Sequence, residues 1–183
     1  MAMSNKKLVI AQLILMGTPI QSETRHLAEK PIFKKVYNFY STGDWVQKLD
    51  CISTRDFFSR RTFGTRKRHK PRALPCNILD IEIRVSSYQP THAEFWFLGG
   101  ILHFFYRNNF PLYPYPILTF IPCLTTIIDQ LHDISGNLQL TIERNENIYH
   151  FWFFDKQFHR YIPEHFWASI NLPEHPQRNI LAQ

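Results

Sequence analysis

Residues Val36 to Asp50 read VYNFYSTGDWVQKLD, and this stretch decides the fold class. Apolar and aromatic side chains crowd Val36–Tyr40, as in a strand buried on both faces. Ser41-Thr42-Gly43 ends it: hydroxyls compete for backbone hydrogen bonds, and glycine allows a sharp exit. Asp44 then stands just past the carboxyl end of the strand, the edge of an open parallel sheet where ligands and catalytic groups collect. Trp45, Val46 and Leu49 follow at helical spacing, so Asp44 fits two roles, catalytic acid and helix N-cap.

Toward the amino terminus, Leu8–Met16 is apolar and β-rich and ends in Gly17-Thr18-Pro19-Ile20, a strand with a loop at its carboxyl end. Gln21–Lys30 is polar and has room for a short helix opened by Ser22 or Thr24. Pro31 closes that segment and Lys34-Lys35 leads into the second strand. Leu8–Tyr40 is thus strand, crossover, strand, the parallel pattern.

Toward the carboxyl terminus, Asn77–Val85 alternates, with Leu79, Ile81, Ile83 and Val85 on one side and Asp80, Glu82 and Arg84 on the other. That pattern predicts a half-exposed strand at a sheet edge. Ser86–Pro90 turns the chain, and Thr91 with Glu94 fits a capping box. His92 therefore falls in the first turn of a helix, again beyond the carboxyl end of a strand. Phe95–Ile128 is aromatic, and Gly99-Gly100 and its prolines divide it into helical pieces that cover the sheet. Leu138–Ile142 and Ile148–Phe154 are β-rich runs joined by Glu143–Asn147, a hairpin. From Pro163 the tail reads as loosely ordered. The expected division is an α/β domain over 1–135, with a hairpin and tail packed on it over 136–183.

With 44% hydrophobic and 15% aromatic residues, a chain of this length buries a core. The net charge of +6 suggests an anionic partner until it is located. Seven Lys/Arg and no acid lie between Arg60 and Arg72, leaving 14 basic residues against 15 acidic elsewhere. The basicity is a local loop property. A nucleic-acid reader needs one basic stripe with aromatic platforms, so nucleic acid is not the expected partner. Three widely spaced cysteines without a CxxC predict reduced, buried thiols. Nine histidines include no HExxH, and neither a metal nor another cofactor is expected. Trp96, Trp152 and Trp167 read as core.

Lys6-Lys7 before Leu8–Met16 has the outline of a signal peptide. Gln12 interrupts the run, however, and no small-x-small cleavage site follows, so it reads as a buried strand of a cytoplasmic protein. Pro111–Ile128 carries no charge, but its four prolines argue against a spanning helix.

Asp44 and His92 each follow a sheet strand at the same edge. An aspartate that accepts from one imidazole nitrogen fixes the tautomer, and the other nitrogen then takes a proton from a nucleophile. The segments LILMGTPIQ (13–21), VYNFYSTGDWVQKLD (36–50) and PTHAEFW (90–96), in this order, resemble the C-terminal half of lipase- or esterase-like α/β-hydrolases over roughly Leu8–Leu98. The resemblance implies a partial α/β-hydrolase parallel sheet made of the last strands of that fold. It also implies Asp44 as the triad acid and His92 as the general base. One departure is large. The family needs a Gly-x-Ser-x-Gly elbow to present its serine and part of the oxyanion hole, and no such motif occurs here. Seven residues before Leu8 are too few to hold one, and Ile134-Ser135-Gly136-Asn137 lacks the first glycine. The chain is therefore expected to be the acid–base half of a serine ester hydrolase, inactive alone, with a separate N-terminal half as partner. The alternative is a non-catalytic interaction module. In either case Leu8–Met16 forms an open apolar edge prone to self-association.

Overall fold

The mainly apolar runs in Ile10–Met16 (β1) and Phe33–Tyr40 (β2) and the alternating Ile78–Val85 (β3) form three consecutive parallel strands in the order β1-β2-β3. The computed structural model describes residues 8–21, 25–47, 61–64, 74–96, 112, 115–146, 148–163 and 169–171. Among these, a fourth strand, Asn137–Asn145 (β4), lies parallel to β3 on its other side. Ile148–Asp155 (β5) then pairs antiparallel to β4, and the short strands Arg160–Tyr161 (β6) and Ser169–Asn171 (β7) both pair with β5. The result is a mixed sheet of seven described strands, an α/β-like arrangement with few helices.

Three helices that lie wholly within the described residues accompany it. Arg25–Ala28 (α1) lies in the β1–β2 crossover, while Ser22 and Thr24, its expected openers, lie outside the described residues. His92–Trp96 (α2) follows β3. A 3-10 turn at Ile117–Phe120 runs into Ile121–Gln130 (α3). Pro122 sits in the first turn of α3, where its missing N–H costs nothing. Ile121, Leu124, Ile127 and Ile128 recur at helical spacing and cover one sheet face, against Tyr37, Phe39, Ile81, Ile83, Leu138, Leu140 and Phe151. The Phe120 ring packs 4.9 Å from Tyr149 and 5.8 Å from Phe151. Each fully buried side chain of this size contributes about 1.5–3 kcal/mol. A polar latch closes the carboxyl end of α3: Asp129 accepts from Lys35, Tyr37 and Gln12. Burial alone would raise the Asp129 pKa, and the Lys35 and Tyr37 hydrogen bonds hold it below the ordinary value.

The opposite face carries a smaller apolar cluster of Ile20, Ala28, Val36, Phe63 and Ile78. Beside it lie two buried polar groups. Asp80 accepts from Asn38 Nδ2 (2.8 Å) and from the backbone N–H groups of Phe63 (3.1 Å) and Gly64 (2.9 Å). Burial raises its pKa, against the pull of those donors. Glu82 accepts from Arg84 Nε at 3.1 Å and from Lys156, whose ammonium also donates to the Tyr40 hydroxyl. Burial opposes ionisation of Glu82, but the two cations hold its pKa below the usual range.

These contacts correct several expectations. β3 is not a half-exposed edge strand: it lies between β2 and β4, with Asp80 and Glu82 1% and 4% exposed. A charged row looks solvent-facing in sequence, but here its charges are matched from distant segments. The hairpin is longer than expected, since Glu143–Asn145 belong to β4 and Asn145 pairs with Ile148. Cys76 is an exposed thiol rather than a buried one, and Cys123 is half-buried. Trp96 is 40% exposed, not core. Cys51, Trp167, most of the basic run and most of the expected helix after Asp44 lie outside the described residues. No helix among the described residues is long and apolar enough to cross a membrane.

Candidate acid–base site

The end of β2 is shaped by its own side chains. Ser41 Oγ accepts the Gly43 N–H (3.1 Å), and the Asp44 N–H donates to the Ser41 carbonyl (3.3 Å), folding the chain into a tight turn. Glycine is required at 43, because a Cβ there would lie 2.3 Å from the Gln89 carbonyl oxygen. The turn after β2 is thus pressed against the segment after β3.

Asp44 is fully buried and uses its two oxygens for different purposes. Oδ1 accepts the Gln47 N–H at 3.3 Å, capping the helical turn that opens at Val46. Oδ2 lies 2.8 Å from His92 Nδ1. The N-cap role is therefore filled by one oxygen, while the other faces the imidazole. Arg61 adds a hydrogen bond from Nη2 to the Asp44 carbonyl (3.1 Å).

His92 is held by the start of α2. The Thr91 N–H donates to Glu94 Oε2 (3.0 Å), the reciprocal half of the capping box read from the sequence. Burial raises the Glu94 pKa above the usual carboxylate value. Burial and the nearby Glu94 charge push the Tyr88 phenol up to about 12. Between β3 and α2 the chain reverses through Ser86 (φ 51°), with Val85 and Tyr88 bridged. The His92 side chain is 33% exposed, and its ring centroid lies 6.5 Å from that of Trp96.

The third element is the Gly-Thr-Pro turn after β1, which in sequence carries part of the resemblance but no site residue. Gly17 ends β1 with φ +57° and donates its N–H to the Phe39 carbonyl (2.9 Å). A Cβ at this position would lie 2.9 Å from Asp44 Oδ2 and 3.1 Å from His92 Nδ1. The ends of three neighbouring parallel strands therefore converge on one hydrogen bond. A glycine ending a strand was the available signal, but its contact with the pair is long-range and not written locally.

With Nδ1–H donating to Asp44, the Nε2 lone pair of His92 is the ring's proton acceptor. The serine look-alike does not complete the site. Ser135 precedes β4 at the opposite end of the parallel strands, is buried, and donates to Asp155 Oδ1 at 2.6 Å. Among the described residues no group of three or more His, Cys, Asp or Glu is placed to hold a metal. A cavity of about 470 Å³ lies elsewhere, on the face of the antiparallel part, lined by Thr141, Glu143, Trp152, Tyr161 and Ile162 among others. Comparison with protein-family models, with curated proteins and with solved structures finds no match to the chain.

Proposed function

We propose that the chain is the acid–base part of a serine ester hydrolase of the lipase/esterase-like α/β-hydrolase type, its nucleophile coming from a partner segment. The observation that carries this reading is the 2.8 Å contact between His92 Nδ1 and the buried Asp44 Oδ2, beyond the carboxyl ends of parallel strands. In the reaction, His92 Nε2 takes the proton of a hydroxyl as its oxygen attacks the ester carbonyl. The imidazolium so formed is stabilised by Asp44 Oδ2. The same proton then passes to the departing alkoxide as the carbonyl re-forms. Oxyanion donors belong with the missing elbow.

The test is hydrolysis of p-nitrophenyl acetate and a longer-chain ester by the chain alone, and by the chain mixed with an esterase N-terminal half bearing Gly-x-Ser-x-Gly. The chain alone is expected to match the buffer rate, because loss of the nucleophile removes most triad catalysis. Activity is expected in the mixture and is lost on His92→Ala. A mixture whose activity survives His92→Ala would overturn the proposal.

One observation favours a second reading, a non-catalytic interaction module with an unidentified partner. β1 carries no charge or proline, no described strand pairs with its outer edge, and Leu8, Val9 and Ile14 are exposed. Such an edge is a template for pairing with another chain. Concentration-dependent association with no activity in the mixture favours this reading.

A further inference from the structure

We infer that Gly17 is a positioning residue for the Asp44–His92 pair, and that the lack of a side chain at the end of β1 lets the carboxylate and the imidazole meet. The inference rests on the acid–base reading above and adds to it a third position whose chemistry is an absence. Two demands fall on Gly17. Its φ of +57° is left-handed, where glycine is comfortable and asparagine is tolerated. Independently, a Cβ there would meet Asp44 Oδ2 at 2.9 Å and His92 Nδ1 at 3.1 Å, the two atoms that bond each other. The backbone has little room to retreat, since the Gly17 N–H is bonded to Phe39 of β2. Asp44 has no easy retreat either, being fully buried with Oδ1 on the Gln47 N–H. The mobile member is His92, a third exposed, so any side chain at 17 displaces the imidazole and opens the pair.

Asparagine separates the two demands, because it accepts the backbone angle but brings the Cβ. The readout is the His92 tautomer, from ¹⁵N and ¹H resonances of the labelled imidazole assigned with His92→Gln. The parent chain is expected to show the Nδ1–H tautomer held by Asp44. In Gly17→Asn that preference is expected to disappear while circular dichroism stays unchanged. Gly64→Ala is the control, since a Cβ there meets Asp80 Oδ2 at an ordinary 3.6 Å, and it is expected to leave the His92 signal in place. A folded Gly17→Asn with the Nδ1–H tautomer intact would overturn the inference, as would a parent chain lacking that tautomer.

If Gly17→Asn does not fold, Gly17→Asn/Asp44→Ala decides. Melting at the temperature of Asp44→Ala alone supports the steric origin, and failure to recover overturns it. The tautomer reports geometry whether or not any ester is cleaved. Failure of the hydrolase reading therefore shows in the ester assay, and failure of this one shows in the spectrum.

Discussion

Asp44 serves two partners with two oxygens, and Asp44→Ala and Asp44→Asn separate them. Alanine removes both bonds. The charge-assisted bond to His92 contributes about 1.5 kcal/mol, the low end of its range because the ring is a third exposed. The cap, long at 3.3 Å, adds about 0.5–1 kcal/mol. A chain of this size shifts its Tm by roughly 2–4 °C per kcal/mol, so alanine is expected to lower Tm by about 4–10 °C. Asparagine keeps an oxygen for the Gln47 N–H, since asparagine caps helices as well as aspartate does. It also turns an amide NH₂ toward Nδ1, which donates and drives His92 to the Nε2–H tautomer. Its cost is limited to the exchanged bond, and the Tm is expected to fall by about 3–6 °C. Thermal melts followed by circular dichroism, with the imidazole spectrum recorded beside them, read both effects. Equal melting of the two variants would refute the capping role. An unchanged tautomer in Asp44→Asn would refute the pairing on which the site depends.

Two further outcomes test the scaffold. Lys156→Met leaves the buried Glu82 carboxylate with Arg84 alone, and is expected to cost about 2–3 kcal/mol, below the range for fully buried pairs because Lys156 is a quarter exposed. Adding Glu82→Gln is expected to restore most of the lost Tm, and strictly additive losses in the double variant would contradict the pairing. Burial alone would raise the Asp155 pKa, but donors from Ser135, Gln157 and Phe158 hold it below its ordinary value. Its stabilisation is therefore present above the unfolded pKa of roughly 3.9 and is lost as pH falls through the lower folded value. Denaturant midpoints across the acid range are expected to show that decline, and Asp155→Asn is expected to flatten it. An Asp155→Asn profile that declines as steeply as the parent's would count against this assignment.

Sequence made the first three strands legible because each announces itself locally. Leu8–Met16 and Val36–Tyr40 are apolar runs each broken by a single amide, Gln12 and Asn38, Asn77–Val85 alternates, and each ends in residues that turn the chain. The capping box at Thr91–Glu94 placed His92 in a helix start for the same reason, since its hydrogen bonds span three residues. What stayed hidden depends on distant neighbours. β3 alternates just as an edge strand does, and its central place is set by β4 and by Lys156, which matches Glu82 from far along the chain. The turn glycine at 17 could not announce that two later segments fold over it. Trp96 beside His92 reads as core in sequence because indoles usually are, although it stands open at the edge of the site.

The order of the strands also bears on how the chain reaches its native state. β4 and β5 are joined by a tight reversal, so their ladder closes a short loop, the fast event in folding. β3 must meet β4 across the connection from Ser86 to Gly136, and β2 must meet β3 across Ser41 to Asn77. Parallel pairings at such separations meet the loop-closure entropy before any contact rewards them, and they form slowly. The β1–β2 pair closes a shorter loop, from Gly17 to Ile32, so that pair and the hairpin are expected to form first and to be joined through β3 afterwards. The acid, the base and the glycine beneath them meet only at that final step, so the site assembles as folding ends.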